Sequence, residues 1–180
     1  RPGTSWAYTS GTTNIVSGIL RRVIGEPDYL AFPRHELFNP LGMSGAVLEP
    51  DAAGTFVGSS FIYATARDWA RFGQLYVQDG VWRGERLLPE GWVAYSRSPA
   101  RQSPDQRYAA HFWLSVASDF ESPTTDKLLP SDTFHAIGRS GQFVTIIPSR
   151  EIVIVRLGLT KQKGAWQHDI FVNKVLHAIE

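Results

Sequence analysis

Apolar residues near the start of the chain recur at the spacing of an α-helix. This helix follows Ser10 and is predicted to be capped by Thr12 or Thr13 and to end at Gly25. Its apolar stripe is formed by Ile15, Val16, Ile19, Leu20, Val23 and Ile24. A second helical stretch, over 29–38, is predicted to break or restart at Pro33, because proline lacks the N–H that a continuous helix needs.

Three further helices are predicted later in the chain, and the middle one is a short helix that begins at Pro89 and runs through Trp92 and Tyr95. The hydroxyl of Thr65 stands three residues before Asp68, which is the spacing of a capping box at a helix start. The last helix, over 166–179, is expected to pack on the strands that precede it. The residues predicted to face inward are Trp69, Phe72, Leu75 and Tyr76 in the helix that Thr65 opens, and the helical stripe of the last helix is formed by Ile170, Phe171, Lys174, Val175 and Ala178.

Alternating positions between these helices predict strands. Gly138–Gln142 leads directly into the alternating segment 143–147, and a four-residue connection separates it from the apolar segment 152–157. The two segments are predicted to form an antiparallel hairpin, and 108–116 is predicted to form another strand. Residues 117–132 are polar and contain proline, which is typical of a loop. The predicted fold is α/β of the α+β type, an antiparallel sheet packed by helices.

Composition excludes several classes of function. Of 180 residues, 18 are Lys or Arg and 17 are Asp or Glu, and no basic stripe carries interleaved aromatic residues, so a nucleic-acid partner is not expected. No apolar run is long enough to span a membrane. The chain has no Cys, and its five His residues show no metal-ligand spacing, so no metal and no cofactor is predicted.

Four short motifs stand in a fixed order along nearly the whole chain. They are Pro-Gly-Thr-x-Trp-x-Tyr-x-Ser before the first helix, Pro-Leu-Gly-Met at 40–43, Ala-x-Asp-Trp-Ala-Arg-Phe at 66–72, and Gly-Arg-Ser-Gly-Gln at 138–142. In this order the chain resembles the serine β-lactamase and penicillin-binding family, above all its class C-like branch of esterases, D-amino-acid peptidases and amide hydrolases. The resemblance implies a bacterial enzyme that works through an acyl-enzyme, with a slight preference for the periplasm or cell envelope.

The nucleophile that this family uses is absent from the sequence. The resemblance implies a Ser-x-x-Lys helix, but none of the four Lys residues has a Ser three residues before it. No Gly-x-Ser-x-Gly nucleophile motif occurs either. Residues 1–180 are therefore predicted to be the C-terminal portion of a single β-lactamase-like domain that lacks its N-terminal part, and this chain alone is expected to be inactive.

Five residues match the family's other two motifs, and a sixth candidate, Gln142, directly follows the second motif. Tyr8 and Ser10 match a Tyr-x-Asn or Tyr-x-Ser turn, in which the resemblance implies that Tyr8 relays a proton. Ser10 in place of the commoner asparagine removes an amide that could grip a substrate carbonyl, which favours esters or simpler amides over β-lactams. Arg139-Ser140-Gly141 matches Lys-Thr-Gly, and the N–H of Gln142 is the expected oxyanion donor.

The predicted function is hydrolysis of an ester or amide bond, β-lactams and D-amino-acid peptides included, in a small-molecule substrate. Arg139 cannot shuttle protons, so it is expected to bind a substrate carboxylate or to favour the ionised form of Tyr8, while Ser140 binds substrate. A penicillin-binding-like module that recognises a cell-wall peptide without cleaving it remains an alternative. A carbohydrate-binding domain, suggested by six Trp residues, is another.

Overall fold

The computed structural model describes residues 3–116, 128–162 and 164–179. The chain divides into two compact units, one formed by Ala7–Arg71 and the other by Arg1–Trp6 together with Phe72–Glu180.

The first unit begins with α1, which runs over Ser10–Ile24. The residue that caps α1 is Thr9, not Thr12 or Thr13: its extended backbone and its hydroxyl, which accepts a hydrogen bond from Thr12 N at 3.3 Å, define the cap. The helix therefore starts three or four residues earlier than the sequence predicts. It ends as predicted at Gly25, whose positive φ of 79° suits glycine.

The apolar stripe of α1 faces solvent, whereas its polar side contacts the rest of the unit. Ser17 is the helix residue that is buried, and Arg21 donates to the carbonyl of Ala53 and to the hydroxyl of Thr55. Arg21, in the last turn of α1, thus bonds to the segment that contains Ala53 and Thr55. The exposed apolar residues of the stripe are Ile15, Val16, Ile19, Leu20 and Val23.

Short helical turns and a two-stranded sheet complete this unit. A 3₁₀ turn at Asp28–Leu30 precedes a π-helical turn at Arg34–Phe38, so the helical stretch restarts near Pro33 as predicted. The short helix α2 (Asn39–Leu41) follows, and strands β1 (Val47–Leu48) and β2 (Ile62–Tyr63) pair antiparallel. The buried ring of Tyr29 contacts that of Phe56, with centroids 4.9 Å apart.

Helix α3, over Ala66–Val77, begins with the predicted capping box. The hydroxyl of Thr65 accepts from Asp68 N at 3.1 Å and donates to Asp68 Oδ2 at 2.8 Å. Asp68 is buried and also binds Arg71 at 2.9 Å, so its predicted role as a helix cap is confirmed. Of the stripe, Leu75 and Tyr76 are buried.

The second unit continues with a small hairpin and a short helix. Strands β3 (Val81–Trp82) and β4 (Glu85–Arg86) pair antiparallel, and α4 covers Trp92–Ser96. A 3₁₀ turn follows at Pro104–Gln106. The strand predicted over 108–116 is limited to isolated bridges that Trp113 forms with Tyr108 and His135.

The main sheet is antiparallel, with strand order β5-β6-β7. The predicted hairpin is confirmed as β6 (Gln142–Ile147) and β7 (Ile152–Arg156), joined by a 3₁₀ turn at Pro148–Arg150. Sequence reasoning missed β5 (Phe134–Gly138), which pairs with β6 through Phe134 and Ile146. Most of the loop predicted over 117–132 lies outside the described residues.

Helix α5 (His168–Ile179) packs on this sheet, as predicted, but through another face. Its buried residues are His168, Asp169, Val172 and Leu176 instead of the predicted stripe. Val172 and Leu176 join Ile147 in an apolar core, and each such side chain contributes about 1.5–3 kcal/mol when it is buried. Within the ranges that the structure describes, no helix has both the length and the apolar character that crossing a bilayer requires.

Candidate active site

Four of the predicted site residues lie in or directly after the turn between β5 and β6: Arg139, Ser140, Gly141 and Gln142. Gly138 pairs with Gln142, so Arg139–Gly141 is a three-residue hairpin loop. Two of its residues are left-handed, Ser140 with φ 61° and Gly141 with φ 74°. A Cβ at Gly141 would lie 3.0 Å from Nη1 of Arg156, which leaves glycine as the residue that fits.

Each carbonyl oxygen of the loop accepts a hydrogen bond. Gln142 Nε2 donates to the Arg139 carbonyl at 3.1 Å, and Thr160 N donates to the Ser140 carbonyl at 2.9 Å. The guanidinium of Arg156 donates to the Gly141 carbonyl and, through Nη2, to the hydroxyl of Thr160 at 2.8 Å. The carbonyl side of the loop is thus fixed, and such pre-organised backbone is what an oxyanion site requires.

The alternation of the ladder fixes which way the main-chain groups point. The N–H and C=O of His135 both pair with Trp113, at 2.7 and 2.8 Å, so they face away from β6. Antiparallel strands alternate, so the main chain of Gly138 faces Gln142, and that of Arg139 falls on the open edge. By the same alternation the N–H of Gln142 faces Gly138, so its role as oxyanion donor stays a prediction, and the N–H of Arg139 is a second candidate donor, the one at the open edge.

The side chain of Arg139 is exposed. Among the residues that the structure describes, it takes part in no salt bridge. A guanidinium with this freedom can meet a planar carboxylate through two parallel hydrogen bonds. The loop therefore combines a cation with backbone N–H groups, a combination suited to an anionic ligand.

Arg156 and Trp166 support the loop 139–141, a role that sequence reasoning did not assign to either residue. The guanidinium carbon of Arg156 lies 4.0 Å from the centroid of the Trp166 ring. This contact holds the side chain that binds the Gly141 carbonyl. The one signal for this role in the sequence is that Arg156 is the single charged residue of the otherwise apolar strand β7.

A chain of buried hydrogen bonds runs from Trp166 into the sheet. Trp166 Nε1 donates to His168 Nδ1 at 3.2 Å, and His168 Nε2 lies 2.7 Å from the hydroxyl of Thr145, which lies 2.9 Å from His135 Nδ1. Indole is a donor only, so Nδ1 of neutral His168 accepts and its Nε2 donates to the hydroxyl of Thr145, while the direction of the bond between Thr145 and His135 depends on the tautomer of His135. His168 also stacks on Phe143, with centroids 3.7 Å apart.

Both histidines of this series of hydrogen bonds, His135 and His168, are held neutral. Burial lowers the pKa of His135 to about 4. Burial, followed by the charges of His135 and Arg156, lowers the pKa of His168 to about 3. Neither residue can act as a cation near neutral pH. The hydrogen bonds between them therefore link strands β5 and β6 to helix α5 structurally.

A polar cavity of about 70 Å³ lies beside His135. The hydroxyls of Ser115 and Thr133 line it and have no hydrogen-bond partner within the part of the chain that the structure describes, and Asp169 lines it too. Its volume and lining fit a few small polar molecules such as water. Within 3–116, 128–162 and 164–179, no cluster of three or more His, Asp or Glu residues could hold a metal ion.

Tyr8 and Ser10 lie in the other compact unit. Tyr8 immediately precedes the cap residue Thr9 and is 60% exposed, while Ser10 is the first residue of α1 and is also exposed. The N-cap fixes the backbone on which both side chains are carried. That Tyr8 and Gln142 share one site remains a prediction.

The chain belongs to the Beta-lactamase family, whose family model matches residues 1–169. This confirms the family that the sequence motifs indicate. Members of this fold family are typically hydrolases. No curated protein matches the chain.

Solved structures share the fold. A provisionally assigned 6-aminohexanoate-dimer hydrolase from Bacillus anthracis has a TM-score of 0.70 at 22% identity, over 99% of this chain and 44% of its own. A β-lactamase from Mycobacterium bovis has a TM-score of 0.73 at 18% identity, and the match covers 99% of this chain and 66% of the relative. A provisionally assigned β-lactamase from Bacteroides dorei has a TM-score of 0.66 at 16% identity, and the match covers 90% of this chain and 53% of the relative. The predicted fold class is thereby confirmed, and the chain spans about half to two thirds of the length of these structures.

Proposed function

We propose that the full-length protein is a serine hydrolase that cleaves an ester or amide bond through an acyl-enzyme. The observation that carries this proposal is the hairpin loop 139–141, whose carbonyls are all hydrogen-bonded and whose cation is exposed, in a chain of the Beta-lactamase family. Such a loop offers fixed backbone N–H groups to developing negative charge.

In the proposed reaction a serine outside these 180 residues attacks the substrate carbonyl. The serine oxygen forms an ester with the acyl group, and Tyr8 passes the proton of the serine to the leaving alcohol or amine. Water then adds to the ester carbonyl and releases the acid, and the serine regains its proton. In both steps a main-chain N–H of the loop, that of Gln142 or of Arg139, binds the oxyanion together with the N–H of the serine.

Arg139 suggests a substrate with a carboxylate. Its guanidinium is exposed, and charge-assisted hydrogen bonds of this kind contribute about 1.5–3 kcal/mol. Ser10 and Ser140 would hydrogen-bond the remaining polar groups of the substrate. The fold relative from Bacillus anthracis bears the name of a hydrolase of an aminohexanoate dimer, an amide that carries a carboxylate, which fits this substrate class.

A non-catalytic ligand-binding module is the alternative, and the two motif departures Ser10 and Arg139 favour it. A carbohydrate-binding platform has less support. The exposed aromatic pair Trp92 and Tyr95 is tilted by 45°, whereas a sugar-stacking platform would be coplanar.

A fluorophosphonate probe distinguishes these functions. We expect it to label the full-length protein at a single serine, which peptide mass spectrometry would locate before residue 1. The matched control is the 180-residue chain, which should neither take up the probe nor hydrolyse p-nitrophenyl esters faster than buffer. Labelling within residues 1–180 would show that the nucleophile is misplaced. An unlabelled full-length protein that still binds β-lactams or cell-wall peptides would support the module.

A further inference from the structure

Phe61 has a backbone conformation that its side chain does not favour. Its φ is 58°, in the left-handed region that favours glycine and, less strongly, asparagine and aspartate. Eight non-glycine residues have a positive φ in the part of the chain that the structure describes, and Phe61 is the one whose side chain is apolar. For a bulky side chain this conformation is strained, so it destabilises the fold relative to glycine at the same position.

Burial of the ring does not offset this strain. Phe61 is 50% exposed, whereas Phe56, close by in the sequence, is 7% exposed. The main chain of Phe61 is held by Glu49, whose N–H donates to the Phe61 carbonyl at 3.0 Å. Any residue can make this backbone contact, so it does not require a phenyl ring. A strained residue whose ring stays in contact with water is typical of a functional site.

The turn before Phe61 lies directly against the polar face of helix α1. Ser59 N donates to Asn14 Oδ1 at 3.3 Å, and a Cβ at Gly58 would come within 2.2 Å of Ser17 Oγ. These contacts fix the position of the turn, and with it the start of the segment that carries Phe61.

Ser10, one of the predicted substrate-binding residues, lies on the same face of α1. Residues four apart in a helix are neighbours, with Cβ atoms about 5–6 Å apart, so Ser10 is one turn from Asn14. Phe61 follows Ser59 by two residues, so its Cα lies within about 7 Å of that of Ser59. The hydrogen bond between Asn14 and Ser59 thus joins the helix start, which carries Tyr8 and Ser10, to the segment that carries Phe61. All these residues belong to one compact unit.

Two further exposed apolar residues adjoin Phe61. Tyr63 follows it by two residues and pairs across the ladder with Val47. These two residues are 53% and 50% exposed, and directly opposite residues have Cβ atoms about 4.5–5.5 Å apart. The three side chains form an apolar surface that can bind the apolar part of a ligand whose polar group is held at Ser10.

We propose that Phe61 determines substrate specificity in the proposed hydrolase, by contacting the apolar part of a substrate whose scissile bond lies at Tyr8 and Ser10. This role rests on the proposed function, because it needs a substrate at those two residues. An aliphatic or aromatic group next to the ester or amide bond is the chemistry that an exposed phenyl ring recognises. Glycine would fit the backbone at position 61 better, but it would offer the substrate no such surface.

The chain length of ester substrates tests this role in the full-length protein. kcat/KM is measured for p-nitrophenyl acetate and hexanoate, which differ in the acyl group, and for ethyl and hexyl acetate, which differ in the leaving alcohol. In Phe61→Gly we expect the preference for the longer ester to fall at least about tenfold in one of the two pairs. Phe61→Tyr keeps the ring and should keep most of the preference. Leu30→Ala truncates another exposed apolar residue of the same unit and should leave the preference unchanged.

Urea unfolding of the same variants separates substrate contact from a packing role. Glycine relieves the strain at a positive φ, so the unfolding midpoint of Phe61→Gly should be no lower than that of the parent protein. A clear fall of the midpoint would mean that the ring is packed in the full-length protein, and it would overturn the proposal. A preference that is absent from the parent, or that Phe61→Gly retains in both ester pairs, would overturn it too.

The fluorophosphonate probe on the same samples distinguishes failure of this role from failure of the hydrolase. If the parent protein cleaves none of the esters and takes up no probe, the proposed function is wrong and the role of Phe61 is wrong with it. A labelled, active protein whose chain-length preference does not depend on position 61 contradicts the role of Phe61 alone.

Discussion

Arg156 lies over the ring of Trp166, with its guanidinium carbon 4.0 Å from the ring centroid, and from there it donates a hydrogen bond to the carbonyl of Gly141. This relationship connects the end of β7 with the loop that carries the candidate site. The strained backbone of that loop, with Ser140 at a φ of 61°, is held by side chains distant in sequence.

Replacement of Arg156 should therefore loosen the loop. Arg156→Lys keeps the charge but loses the planar fork that binds Gly141 and Thr160 together, so we expect the free energy of unfolding to fall by about 1–3 kcal/mol. Amide hydrogen exchange at Ser140 and Gly141 should accelerate. Arg67→Lys, at an exposed position, is the control and should change neither quantity. Unaltered hydrogen exchange at the loop in Arg156→Lys would show that Arg156 does not support the loop.

Tyr8 is expected to act on turnover and not on binding. If the full-length protein is the proposed hydrolase, its Tyr8→Phe variant should show a kcat lowered by about 10²- to 10⁴-fold with little change in KM, because a proton relay contributes in the transition state. Tyr95→Phe is a matched control, since both phenols are 60% exposed. Steady-state kinetics with one ester substrate would decide. If kcat of Tyr8→Phe equals that of Tyr95→Phe, Tyr8 has no part in the mechanism.

Arg139 should select substrates with a carboxylate. Arg139→Gln removes the charge, and kcat/KM for a carboxylate-bearing ester should fall by roughly 10- to 150-fold, which corresponds to one charge-assisted contact. The methyl ester of the same substrate is the control and should lose far less. An equal loss for both substrates would indicate that the substitution distorts the loop instead of removing a carboxylate partner.

Acid should destabilise the fold through the buried histidines. Unfolded histidine has a pKa near 6.5, whereas the folded pKa is about 4 for His135 and about 3 for His168. Between these values the unfolded chain binds more protons, so the stability that is present above pH ~6.5 is lost as the pH falls toward 4 and then 3.

Urea unfolding at a series of pH values would measure this loss. His135→Asn keeps a side-chain amide that can bond to Thr145 near the position of Nδ1 and that is not protonated in this pH range, so its stability should vary less with pH than that of the parent protein. His35→Asn, at an exposed position, should leave the pH dependence unaltered. A parent protein as stable at pH 4 as at pH 7 would contradict the assignment of both histidines as neutral.

The sequence predicted those elements whose ends are set by interactions between residues close together in the chain. The Thr65–Asp68 capping box and the helix end at Gly25 follow from neighbouring residues alone, and the structure has both. The hairpin of β6 and β7 follows from alternation and a turn. The Beta-lactamase family could be inferred because its motifs lie along one chain in a fixed order.

The remaining features depend on contacts between distant residues. Strand β5 was missed because Gly138 and the polar Arg139 look like a bend, and it is the pairing with β6 that makes 134–138 extended. Without β5, nothing in the sequence indicates that His135 and His168 meet through Thr145. The outward stripe of α1 could not be predicted either, since periodicity shows that a face is apolar but not which way it points.

The crystal structure of the full-length protein with a covalently bound phosphonate tests the central hypothesis most directly. We predict the phosphorus on a serine outside these 180 residues, with the Tyr8 hydroxyl and a main-chain N–H of the 139–142 loop both within about 2.6–3.2 Å of its oxygen atoms. An adduct that touches neither Tyr8 nor that loop would contradict the proposed hydrolase mechanism.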